Sequence, residues 1–166
     1  MRLRESLDRM RVHASVAGGA ITGELHDADQ VELTFTPGYY DRVAEPVLID
    51  HLVALARVMH AEYVRQYLRA VSEASGRTIT KEPAGDGRRD RAYAEQRQEL
   101  IAEGRSADGR ITVTVRGMRS WWVRIAPGTL RVLDERQFAA RFGEAAHALI
   151  RDQFAGIRAL KNHVYG

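Results

Sequence analysis

The chain has 166 residues, 45% of them hydrophobic and 28% charged, which suits one ordinary domain or two small halves sharing a core. With no cysteine, disulfide frameworks, thiolate metal sites and Cys nucleophiles are excluded, and a reducing cytoplasm is the expected compartment. The N-terminus MRLRESLDRMR has no apolar signal region and no run approaches the roughly 20 residues that cross a bilayer, so a soluble intracellular protein without membrane association is expected.

The net charge of +3 is unevenly placed. Residues 1–80 hold nine Arg and eleven Asp or Glu, net −2, whereas residues 81–166 hold sixteen Lys or Arg and eleven acids, net +5. A basic half suggests a polyanionic partner, and solvated surface charge is the alternative for any single residue.

In chain order, Leu3, Leu7 and Met10 at i, i+4 and i+7 predict a short amphipathic helix. Residues 11–17 alternate, with Val12, Ala14 and Val16 on one side, and Gly18-Gly19 supplies the positive φ a tight hairpin needs. Ile21, Gly23 and Leu25 continue that face. His26 to Asp29 is a turn cluster, and Val31, Leu33 and Phe35 form a third strand. Pro46 suits a helix start, and Leu48, Leu52, Leu55, Met59, Tyr63 and Tyr67 make one buried stripe that ends at Gly76. A helix of that length needs more cover than three short strands, so it is expected to pack also on its copy in the second half.

Residues 77–87, with Gly and Pro and little periodicity, read as a linker. Asp86 or Asp90 can cap a helix to about Leu100 with a thin buried face anchored by Tyr93 and Leu100. Residues 101–106 are a weak strand, Asp108-Gly109 a hairpin turn, and Ile111, Val113 and Val115, then Trp121, Val123 and Ile125, two further strands. Asp134 can cap a last helix that carries Phe138, Phe142, Ala145, Leu149, Phe154 and Ile157 inward as far as about Asn162.

The two halves repeat. An ungapped offset of 90 lays Gly19, Ile21 and Thr22 on Gly109, Ile111 and Thr112, and Pro37-Gly38 on Pro127-Gly128, with ten identities in 76 pairs. The apolar alternation coincides as well: Val31, Leu33 and Phe35 fall on Trp121, Val123 and Ile125. The expected fold is therefore α+β, two units of helix, three-stranded antiparallel meander and long helix, over residues 1–76 and 88–166.

The run Ile111-Thr-Val-Thr-Val-Arg-Gly, a short turn, Trp122-Val-Arg-Ile, a Pro-containing loop and an Ala-rich helix resembles the YbaB/EbfC nucleoid-associated family. The resemblance covers residues 88–160 closely and 1–75 more loosely, with the first helix shortened and two units fused in one chain. It implies a pseudo-dimeric, non-enzymatic protein of the cytoplasmic nucleoid that binds double-stranded DNA with little sequence preference. Relatives of this fold among secretion-system accessory proteins imply the rival, a protein-interaction module without DNA binding. A further homodimer through an uncovered strand edge is also expected.

No catalytic constellation is evident, and the six histidines lack metal-binding spacing; no catalytic residue, metal or cofactor is expected. Adjacent strand residues Trp121 and Trp122 point to opposite faces. Packing between the units is the favoured role for this pair, and stacking on a nucleobase the other. The resemblance makes Arg88, Arg89, Arg91, Arg97, Arg105, Arg110, Arg116 and Arg119 the candidate phosphate contacts; a solvated rim is the alternative.

Overall fold

The computed structural model describes residues 3–76, 78 and 87–166. Apart from Thr78 and Gly87, the expected linker lies outside the described residues, as does Asp86. The first unit runs α1 (Leu3–Asp8), β1 (Val12–Val16), β2 (Ile21–His26), β3 (Gln30–Phe35), α2 (Tyr39–Arg42) and α3 (Glu45–Ser75). The second repeats that order as α4 (Arg88–Glu99), β4 (Ile101–Arg105), β5 (Ile111–Arg116), β6 (Ser120–Ile125), α5 (Thr129–Val132) and α6 (Glu135–Tyr165). Each unit contributes one antiparallel three-stranded sheet, ordered β1-β2-β3 and β4-β5-β6.

The strand registers coincide at the 90-residue offset. Val12 pairs with Leu25 as Ala102 does with Val115, Gly23 with Leu33 as Val113 with Val123, and Ile21 with Phe35 as Ile111 with Ile125. Because side chains alternate with period two, this common register sends the same set of positions to the core in both sheets. The turn residues carry the required left-handed backbone: Gly18 and Gly109 have φ of 65° and 73°.

Helix ends follow local chemistry. Asp134 caps α6 in a reciprocal box with Gln137, accepting the Gln137 N–H at 2.8 Å while the Asp134 N–H donates to the Gln137 side chain at 2.9 Å, which satisfies two orphan donors. Pro46 stands in the first turn of α3, and left-handed Gly76 ends it. The expected aspartate cap of α4 is not formed by Asp90: extended Gly87 is the N-cap, and Asp90, inside the first turn, accepts instead from the Tyr165 hydroxyl.

The two units share one core. Phe35 and Tyr40 of the first unit meet Phe138 of the second, with ring centroids 6.0 and 5.5 Å apart, and the Tyr40 hydroxyl donates to the Leu133 carbonyl at 2.6 Å. Each long helix packs on its own sheet and on the last strand of the other: α3 on β1, β2 and β6, α6 on β4, β5 and β3. The expected packing of α3 along its copy is replaced by this exchange of strands.

The exchange is not symmetric. At Gly104 an added Cβ would lie 2.0 Å from the Ala145 carbonyl oxygen and 2.2 Å from the Leu149 nitrogen, and at Gly143 one would lie 2.8 Å from the Val31 oxygen. The α6 backbone is therefore pressed onto β4 and β3. The position corresponding to Gly104 in β1 is Ala14, which has a Cβ, and that corresponding to Gly143 in α3 is Val53.

A 31-residue helix is about 46 Å long, whereas a six-residue strand spans about 20 Å, so α3 and α6 overrun the sheets. Only Leu48, Leu52 and Leu55 of the expected α3 stripe are fully buried. Along α6 the stripe continues from Leu149 to Gln153, which is 6% exposed, while Phe154 is 43% exposed. The expectation that Phe154 points inward is thus corrected. One residue turns a helix by about 100°, and the phase set by Phe138, Phe142, Ala145 and Leu149 decides which side chain is covered.

Candidate functional site

Two features stand out: an uncovered basic sheet face on the second unit and an apolar groove between the units. The outer face of β4-β5-β6 forms a grid by register, with Arg105, Thr112 and Arg124 in one row, Glu103, Thr114 and Trp122 in the next, and Ile101, Arg116 and Ser120 in the third. Trp122 is 54% exposed and Ile101 61%. Ion pairing on this face is loose: Arg105 lies 3.4 Å from Glu103 and Arg116 3.8 Å from Glu99. Exposed pairs of this kind hold their partners with about 0–1 kcal/mol. The corresponding outer face of the first sheet carries Glu24 and Glu32 beside His13 and Thr22, with Glu24 taken by Arg11 at 2.8 Å.

The candidate arginines divide by location. Arg88, Arg89 and Arg91 are exposed on the first turn of α4. Arg116 and Arg119 lie at the other end of that helix, because the Gly117 N–H in the β5–β6 turn donates to the Leu100 carbonyl at 2.8 Å. Among the described residues Arg88, Arg89 and Arg119 make no ion pair. Arg110 belongs to a local turn network: Asp108 accepts from the Ser106 hydroxyl at 2.7 Å and from the Arg110 N–H at 3.0 Å, and its carboxylate stands 3.9 Å from the Arg110 guanidinium and 3.5 Å from Arg141. Desolvation opposes ionisation of Asp108, but the two hydrogen bonds and the two arginines outweigh it and lower its pKa. Arg97 leaves the exposed row altogether; its guanidinium lies 6.0 Å from the centroid of the Tyr93 ring and borders the groove.

That groove runs between α3 and α6, with a volume of about 200 Å³. Its walls are Leu55, Met59 and Tyr63 from α3 and Phe142, Leu149 and Ile157 from α6. Trp121 closes one side, 6.2 Å ring to ring from His60. The two tryptophans thus part company: Trp121 faces the junction of the units, and Trp122 faces outward, away from it.

The lining residues with polar side-chain groups include His60, Tyr63, Arg97 and Gln153. Burial and then the nearby Arg97 charge lower the His60 pKa, so its imidazole is neutral near pH 7. Both side-chain polar atoms of Gln153, Nε2 and Oε1, are buried without a hydrogen-bond partner among the described residues. Sequence reasoning missed His60, Arg124 and Gln153 as site residues. Alternation from Trp122 locates Arg124 on the same strand face, and the 90-residue offset sets Gln153 on Tyr63, a stripe residue.

Fold and site define a class: a repeated α+β chain with a shared core, one basic open sheet and a groove where its two long helices overrun the strands. No family model, curated protein or solved structure matches the chain. Among the described residues no group of three or more His, Asp or Glu is arranged to hold a metal, and no helix is long and apolar enough to cross a membrane.

Proposed function

We propose that the protein is a non-enzymatic, nucleoid-associated DNA-binding protein of the YbaB/EbfC kind, with the two units as a pseudo-dimer, that grips the phosphates of duplex DNA with its second unit and does not read bases. The observation that carries this reading is the line of exposed arginines from Arg88 and Arg89 at the start of α4 to Arg116 and Arg119 beyond its end. Twelve helical residues span about 18 Å, which matches about five base pairs of duplex. Arginine side chains without fixed partners release DNA counterions on binding at little cost in broken ion pairs. Trp122, Arg105 and Arg124 extend the same basic surface across the sheet.

The acidic outer face of the first sheet favours a second reading, a protein-interaction or secretion-accessory module without DNA. Gel shifts on unrelated duplexes over a range of salt separate the two. Combined reversal of Arg88, Arg89 and Arg119 to Glu is expected to weaken binding equally on every duplex and to flatten the slope of log K against log salt by roughly 0.9 for each phosphate no longer neutralised. Absence of binding at low salt, or an unchanged slope in the triple variant, would replace the DNA reading with the interaction module.

A further inference from the structure

We propose that the outer face of β4-β5-β6 binds single-stranded DNA, with an unpaired base stacked on Trp122 and the strand's phosphates on Arg105, Arg116 and Arg124. This adds a second mode to the duplex grip along α4, and only the choice of DNA over RNA rests on that reading. Trp122 is more than half exposed, and among the described residues no ring and no cation lies against its indole. Arg124, two residues along the same strand and on the same face, makes no ion pair among the described residues. An open aromatic face with an unengaged guanidinium about 7 Å along the strand is what a stacked base and a neighbouring phosphate require.

The internal repeat shows that the fold does not ask for these side chains. At the 90-residue offset Trp122 falls on Glu32, Arg124 on Thr34, Arg105 on Ser15 and Arg116 on His26, and the first sheet keeps the same register with them. The tryptophan and three arginines are thus particular to the second sheet, and their charge complements a polyanion. The one acid in the three outward rows, Glu103, is engaged by Arg105 at 3.4 Å and by the Thr114 hydroxyl at 3.3 Å. Around Trp122 stand Thr114, Ser120 and Arg124, so the apolar surround with which a protein hot spot excludes water is missing, whereas a base needs only the ring face. Bases within a duplex are covered by their neighbours, so Trp122 can stack only on one that is unpaired. The rows extend about 14 Å along the strands, the length of about four nucleotides at the spacing of a stacked strand.

The test compares, on the full chain, the anisotropy of a labelled oligothymidine about 12 nucleotides long with that of a labelled duplex. Oligothymidine is expected to bind saturably at low salt and to quench the indole fluorescence. Trp122→Ala should weaken it at least about fivefold, leaving its salt slope unchanged and duplex affinity within about twofold. Trp122→Phe keeps a stacking ring and should retain most of the affinity. Arg124→Thr, which installs the residue the first sheet carries there, should instead flatten the oligothymidine slope of log K against log salt by about 0.7. No saturable oligothymidine binding, undiminished affinity in Trp122→Ala, or equal weakening of oligothymidine and duplex by that variant overturns the proposal; the first of these would leave Trp122 to a protein partner. Tighter binding of oligouridine than of oligothymidine overturns the choice of DNA. Oligothymidine binding without any duplex binding would uphold the single-strand site and refute the duplex reading.

Discussion

Replacing Gly104 by Ala tests the tightest glycine position among the described residues. The added methyl would stand 2.0 Å from the Ala145 carbonyl oxygen, 2.2 Å from the Leu149 nitrogen and 2.8 Å from the Leu149 Cα, all backbone atoms of α6 that no rotamer change can move. To restore ordinary contact, α6 must retreat by more than about 1 Å, which loosens Ala145 and Leu149 in the core and the seat of Gly143 on Val31. Overpacking typically costs about 1–3 kcal/mol and occasionally more, and with rigid backbone on both sides about 3 kcal/mol is expected. For a chain of this size that lowers Tm by about 6–12 °C. The reverse change at the corresponding position of the first sheet, Ala14→Gly, removes one buried methyl and loosens the unfolded chain, for a loss of about 1–2 kcal/mol. Urea denaturation of both variants, followed by circular dichroism, gives the comparison. A Gly104→Ala variant within about 0.5 kcal/mol of wild type, or less destabilised than Ala14→Gly, would refute the asymmetric seating of α6.

Asp134→Ala removes the α6 capping box and is expected to cost about 1 kcal/mol, readable as a shift in urea midpoint at unchanged m; Asp134→Asn should recover most of it. The histidines give opposite pH signatures, which residue-resolved NMR titration separates: His60 below the usual value near 6.5 and His26 above it, the latter because its hydrogen bond to Asp27 favours the imidazolium. Above about pH 6.5 His60 is neutral in both states. As pH falls through that value the unfolded chain takes up a proton that the buried native ring refuses, so the stability tied to His60 is present at neutral pH and lost on acidification. The His26 contribution runs the other way, present below about 6.5 and lost as pH rises through its raised native value; being exposed, it is the smaller of the two. His60→Leu should therefore flatten the loss of stability between about pH 7.5 and 5.5, and an unchanged acid limb would contradict the burial of that ring.

Much of the fold is written locally, which is why the sequence by itself determined the order of elements and the register. Gly18 and Gly109 mark turns that need a left-handed backbone, Asp134 and Gln137 stand three apart as a capping box requires, and the period-two alternation of Ile21, Gly23 and Leu25 or Ile111, Val113 and Val115 fixes which face is buried. These signals depend on residues within a few positions of one another, and the 90-residue repeat doubles each of them. Tertiary structure alone decided what each long helix lies against. The apolar stripe of α3 is the same whether it meets a helix or a strand, and only the distance between backbones, set at Gly104 and Gly143, seats α6 on two sheets at once. The groove follows from that seating. Gln153 is buried and Phe154 exposed because position on the turned helix outranks hydrophobicity, and Arg97 leaves the surface row because it shares the face of α4 that carries Tyr93 and borders the groove where His60 lies. Which side chains a cavity gathers from both sheets, α4 and the two long helices is a property of their relative placement, and no local pattern encodes it.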